Sequence, residues 1–79
     1  MDHVKKYNSI FIEVFDVEVT ELNNDFTIDY KSNWDSIRHL SLIAALEDEF
    51  DMMLDTDDIL EFNSYEKGKH LLAKYGIEL

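Results

Sequence analysis

No cysteine and no proline occur among the 79 residues, and glycine stands only at positions 68 and 76. The missing cysteine excludes disulfides and thiolate metal sites. Histidine is sparse: His3, His39 and His70 lie far apart, without zinc-finger spacing. So few turn-forming residues argue against a β-rich fold, which at this size needs more of them, whereas helices need few. No apolar run approaches the roughly 18 residues of a membrane span. The opening Met1-Asp2-His3-Val4-Lys5-Lys6 lacks the apolar stretch of a signal peptide. A soluble, cytoplasmic protein is the expectation. Positive charge is the other shortage, seven lysines and arginines against eighteen acids, a formal net charge of -11. Such a surface repels nucleic-acid phosphates and anionic lipid, so neither is an expected partner.

What is present fits one small globular domain over residues 1–79. The apolar fraction of 46% is too high for intrinsic disorder. A chain this short buries only about 60% of its unfolded surface, so its margin of stability is thin. The acids are unevenly spread. Between Arg38 and Lys67 there is no lysine or arginine, yet nine acids from Glu47 to Glu66 fall there. Such a cluster solvates a surface, and it can also steer basic partners.

Val4, Tyr7, Phe11 and Val14, widened by Ile10 and Phe15, repeat with helical spacing and predict a first helix over residues 3–15, with Asp2 as its N-cap. Residues 16–34 do not continue it. Val17-Glu18-Val19 alternates like a strand too short for a sheet, and Asn23-Asn24-Asp25 is turn chemistry. Phe26, Ile28 and Tyr30 then alternate with polar residues, as in an extended segment laid over a core. Asp35 or Ser36 caps a second helix ending near Phe50 or Asp51. Ile37, Leu40, Ala44 and Leu46 or Glu47, with Ile43 and Phe50, make up its expected apolar face. Asp55 begins a short helix through Ile59 and Leu60. The last helix opens on Asn63-Ser64-Tyr65-Glu66, a capping box with asparagine as the cap, and stops at Gly76. Gly68, in its interior, implies close approach of another element, because glycine there costs about 1 kcal/mol relative to alanine. The expected fold is all-α: a small up-and-down four-helix bundle, three main helices plus one short, with a long loop between the first and second.

Few residues suggest chemistry. Asp55, Asp57 and Glu66 take the first, third and twelfth places of a calcium loop, but Ile59 and Leu60 occupy places that need a ligand and a glycine. Asp35, Ser36 and His39 contain the residue types of a hydrolase triad, but Asp35 precedes the helix and no glycine-rich turn offers an oxyanion hole. His39 is expected at the surface, and Glu66 with His70 as a surface pair. Glu49, Asp57 and Asp58 read as solubilising charge. An enzyme is not expected.

A serine at a helix start is ordinarily a cap. Here it belongs to a longer pattern: Asp35-Ser36-Ile37, an amphipathic helix, then Leu46-Glu47-Asp48-Glu49-Phe50, then Leu54, Asp57-Asp58 and Asn63-Ser64. This resembles the acyl carrier protein family, whose hallmark is an Asp-Ser-Leu-type motif opening the second helix. Residues 35–72 carry the likeness, and residues 1–30 share only its general pattern. There are departures. Ser32-Asn33-Trp34 replaces the family's Leu-Gly-Ala, and Asn33 can stand for glycine because asparagine tolerates positive φ. Arg38 and Ser41 occupy positions commonly acidic in fatty-acid-synthesis members, which points to a specialised carrier.

The resemblance implies a 4'-phosphopantetheine arm, transferred from coenzyme A to Ser36 by a phosphopantetheinyl transferase. Acyl groups would ride on it as thioesters to enzymes with basic patches. A phosphodiester at Ser36 would sit at a helix N-terminus, where free amides and the dipole favour negative charge. Asp35 would flank it for the transferase. Ile37, Leu40 and Ala44, with Glu47 and Asp48, would face partner enzymes, and Arg38 would modulate which ones. A monomer is expected. A D-alanyl or other aminoacyl carrier shares Asp-Ser and stays open, as does an unmodified acidic interaction module.

Overall fold

The computed structural model describes residues 3–28 and 34–79. The chain forms a small helical bundle: α1 (His3–Phe15), α2 (Ser36–Phe50), α3 (Thr56–Glu61) and α4 (Tyr65–Lys74), with a 3-10 turn at Val19–Glu21 in the long connection between α1 and α2. Among the described residues there is no strand, and no helix is long and apolar enough to cross a membrane. Asp2, Tyr30, Ser32 and Asn33 lie outside the described residues, and with them the Asp2 cap and part of the extended segment.

α1 has the expected bounds, and its stripe narrows inward to Tyr7, Phe11 and Phe15, one helical turn apart and all buried. Asp16 ends it in the left-handed region at φ 55°, a conformation that aspartate tolerates better than most residues. Phe11 is the hub of an aromatic core. Its ring lies 4.9–6.3 Å from those of Tyr7, Phe15, Phe26, Trp34, Phe62 and Tyr65. Such pairs contribute about 0.5–1.5 kcal/mol beyond the area they bury. Leu42, Leu46 and Leu72 are the fully buried aliphatic side chains of the same core.

The long connection is tied down by packing. Glu18 and Glu21 cap the 3-10 turn reciprocally; of the strand-like Val17–Val19 only Val19 enters that turn, and Glu18 before it keeps an extended backbone. The Asn23 side chain accepts from the amide of Asp25, and Phe26 is fully buried. Beyond it the backbone pairs with the start of α4: Ile28 N–H donates to Asn63 C=O at 2.8 Å and Tyr65 N–H to Phe26 C=O at 2.9 Å. This pairing holds Asn63 outside the helix, and the cap of α4 is Ser64, whose Oγ accepts from Lys67 N–H at 2.9 Å. The expected asparagine capping box therefore gives way to a serine cap one residue later. Gly68 does sit under a close approach: Tyr7 Oη and the Phe62 ring occupy the space a β-carbon would need. Gly76, at φ 84°, ends the last turn.

The apolar face of α2 matches the expected one at Ile43, Leu46 and Phe50 and differs from it at Ile37, Leu40 and Ala44. Leu42, Ile43 and Leu46 are buried and Phe50 packs beside them, whereas Ile37, Leu40 and Ala44 face outward. Two stripes in this helix satisfy the 3.6 period, one through residues 37, 40 and 44 and one through 39, 42, 43, 46 and 50. Packing on α1 selects the second, which carries more large aliphatic surface.

Candidate functional site

The head of α2 is built from Trp34, Asp35 and Ser36. Asp35, extended at φ -97°, is the N-cap: its Oδ1 accepts from Arg38 N–H at 2.8 Å and its carbonyl from His39 N–H at 2.8 Å. The capping task thus falls on Asp35, and Ser36 stands exposed in the first turn. Arg38 reaches back. Its Nε donates to the Val14 carbonyl at 3.3 Å, where the C-terminal end of α1 favours positive charge, and its Nη1 lies 3.7 Å from Asp35 Oδ2. Arg38 thereby fastens the end of α1 to the start of α2, two residues from Ser36.

Trp34 is buried against Phe11, Phe15 and Phe26. Its indole N–H donates to His39 Nδ1 at 3.0 Å, and His39 Nε2 lies 2.8 Å from the carbonyl of Ile59 in α3. An indole nitrogen is a donor only, so Nδ1 must accept, and Nε2 carries the proton given to Ile59. His39 is therefore half-buried and structural, not the surface residue expected from the sequence. With both ring nitrogens engaged, it offers Ser36 no base.

An open cleft of about 560 Å³ lies beside Ser36, between α2 and α3. Ile28, Leu40, Ile59, Leu60 and Phe62 supply its apolar surface, and Asp35, Ser36 and His39 its polar rim. The outer face of α2 continues from it. Ile37 and Leu40 are 76% and 64% exposed, and Ala44 and Asp48 follow along the same stripe. Glu47 turns away: its Oε2 accepts from Leu54 N–H at 2.9 Å, bracing the link to α3. Asp35, Ser36 and Leu40 thus meet at the cleft, and Ile37, Ala44 and Asp48 extend the exposed side of α2 away from it, while Arg38 and Glu47 are held in structural contacts.

The acids around this region are mostly solvated. Asp48, Asp51, Asp55, Asp57 and Glu61 are exposed, and Glu49 pairs with Lys6 at 3.3 Å. Asp58 is the exception to the expectation of plain solubilising charge. It is 5% exposed, accepts from Lys74 Nζ at 2.8 Å, and also accepts from the Tyr75 hydroxyl. The Lys74 hydrogen bond, with that of Tyr75 added, holds its carboxyl below the usual range against the opposing effect of burial. Glu66 pairs with Lys69 at 3.1 Å and not with the exposed His70. Among the described residues no group of three or more acids or histidines is placed to hold a metal ion.

Compared with protein-family models and with curated proteins, the chain matches none.

Proposed function

We propose that this chain is a carrier protein whose Ser36 is modified with a 4'-phosphopantetheine arm. The observation that carries the reading is an exposed serine, relieved of capping by Asp35, at the rim of an apolar cleft in a four-helix bundle. The first turn of α2 leaves backbone N–H groups near the hydroxyl, and these favour a phosphodiester there. The arm, when attached, supplies a thiol that holds acyl groups as thioesters. The chain's own part is to present that serine and to offer partners a mixed apolar and acidic face made by Ile37, Leu40, Ala44 and Asp48. Enzymes with basic patches suit this face, and the net charge of -11 disfavours nucleic acid. We take the protein to act as a monomer in the cytoplasm.

Incubation with a phosphopantetheinyl transferase and coenzyme A tests the reading. Intact mass should show one arm added, and Ser36→Ala should accept none. Labelling at Ser41 or Ser64 instead would overturn the assignment. A chain that stays unmodified would be the acidic interaction module, for which the exposed Ile37 and Leu40 also provide a surface.

A further inference from the structure

We propose that Trp34 silences a nucleophile in the cleft beside Ser36: its indole N–H occupies the ring nitrogen of His39 that would otherwise attack a thioester held there. His39 follows Ser36 by three residues on α2, so the two side chains share one face of the helix, and both line the cleft. The rest of the described lining is hydrocarbon, from residues such as Leu40, Ile59 and Phe62, and the Asp35 carboxylate, which is engaged as the cap of α2. Among these groups a neutral imidazole is the strongest nucleophile and base. The fold therefore places such a group one turn from the serine and then disarms it.

A neutral imidazole has one in-plane lone pair and one N–H. In His39 the lone pair, on Nδ1, accepts from Trp34 Nε1–H at 3.0 Å, and the N–H, on Nε2, donates to the Ile59 carbonyl at 2.8 Å. An indole nitrogen cannot accept and a carbonyl cannot donate, so the ring cannot change tautomer without losing both bonds. Trp34 is itself fixed: it is 4% exposed, with its rings against Phe11, Phe15 and Phe26. Left free, Nδ1 would add to the carbonyl carbon of a thioester. The carbon–sulfur bond would break, the thiol would leave with the proton shed by Nε2, and water would cleave the acylimidazole to acid and imidazole. Trp34 is accordingly a positioning residue that acts through His39. That the silencing preserves cargo rests on the function proposed above; the silencing itself rests on the two hydrogen bonds.

Diethyl pyrocarbonate, which acylates free imidazole nitrogens, tests the silencing on the unmodified full chain, with peptide mass reading each residue. In the parent, His39 should label at least about tenfold more slowly than the exposed His70. Trp34→Phe removes the donor and should speed labelling of His39 about two- to tenfold, the rate equivalent of one net hydrogen bond. Tyr7, fully buried and reactive with the same reagent once exposed, should stay unlabelled in that variant, which excludes general unfolding. Phenylalanine is smaller than tryptophan, so a synthetic chain with benzothienylalanine at position 34 is the second probe. There sulfur replaces the indole N–H in nearly the same shape, and His39 should label as fast as in Trp34→Phe. Labelling of His39 in the parent as fast as that of His70 would overturn the proposal. So would slow labelling in the benzothienyl chain, which would show that burial alone protects the ring. Where Ser36 accepts an acetylated arm, the thioester should be lost about two- to tenfold faster from Trp34→Phe than from the parent, and at the parent's rate once His39→Gln is added. Equal loss from the parent and Trp34→Phe would also overturn the proposal. A chain that accepts no arm refutes the carrier function, and the labelling still decides the silencing.

Discussion

Substituting Gly68 by alanine sets two effects of opposite sign against each other. In a helix interior alanine is favoured over glycine by about 1 kcal/mol, so propensity alone predicts a more stable protein. The packing predicts the reverse. A β-carbon at position 68 would lie 2.7 Å from Phe62 Cε1 and nearer still to Phe62 Cζ and Tyr7 Oη. Neither ring is the loose end of a flexible chain: both are fully buried, and the Tyr7 hydroxyl donates to the Tyr65 carbonyl at 2.7 Å. Overpacking a filled core costs about 1–3 kcal/mol. Displacing Tyr7 from its buried hydrogen bond adds about 1–3 kcal/mol. After the propensity gain, the net loss is about 1–5 kcal/mol, centred near 3. For a domain of this size the total stability is about 4–12 kcal/mol, and each kcal/mol moves the Tm by about 4–8 °C. Thermal melts followed by circular dichroism should therefore place Gly68→Ala about 12–24 °C below the parent. Adding Tyr7→Phe to Gly68→Ala should recover part of the loss, since it removes the hydroxyl and leaves the Phe62 contact. A Tm equal to or above the parent's would refute the close packing at Gly68.

Asp58 predicts an acid limb of stability. Its carboxyl titrates lower in the folded state, first through Lys74 and then through Tyr75. The stability it contributes is therefore complete above the unfolded value, near pH 4, and is lost as pH falls through the lower folded value. Melting curves from pH 7 down to strong acid should show Asp58→Asn less stable than the parent at neutral pH, with the two converging in acid; a constant gap would exclude the linkage. The exposed acids predict steering: Asp48→Lys should slow transfer of the arm to Ser36 several-fold at low salt, and less as salt rises, while Glu13→Lys on α1 should not. Equal rates for both variants at low salt would reduce the acidic face to solvation. Glu47→Lys is the poorer probe, because it also removes the acceptor for Leu54 N–H.

Local chemistry was legible in the sequence wherever it is self-contained. The period of α1, the cap at Asp35, the turn at Asn23–Asp25 and the stop at Gly76 each depend on residues within a turn or two of one another, and each stands where the pattern puts it. Gly68 announced a close approach because its cost in a helix needs a compensating contact. Tertiary structure decided whatever depends on a partner far along the chain. Two stripes of α2 fit the helical period equally, and only contact with α1 turned Leu42, Ile43 and Leu46 inward and left Ile37 and Leu40 beside Ser36. Asn63 was displaced from the cap of α4 by pairing with a segment 35 residues earlier, at Ile28. Asp58 and His39 read as surface residues in the sequence because Lys74 and Tyr75 meet the first, and Ile59 the second, only when the helices assemble; Trp34, five residues before His39, is its one local partner. A hydrogen bond needs both groups within about 3 Å, and periodicity along one helix carries no information about what packs across it.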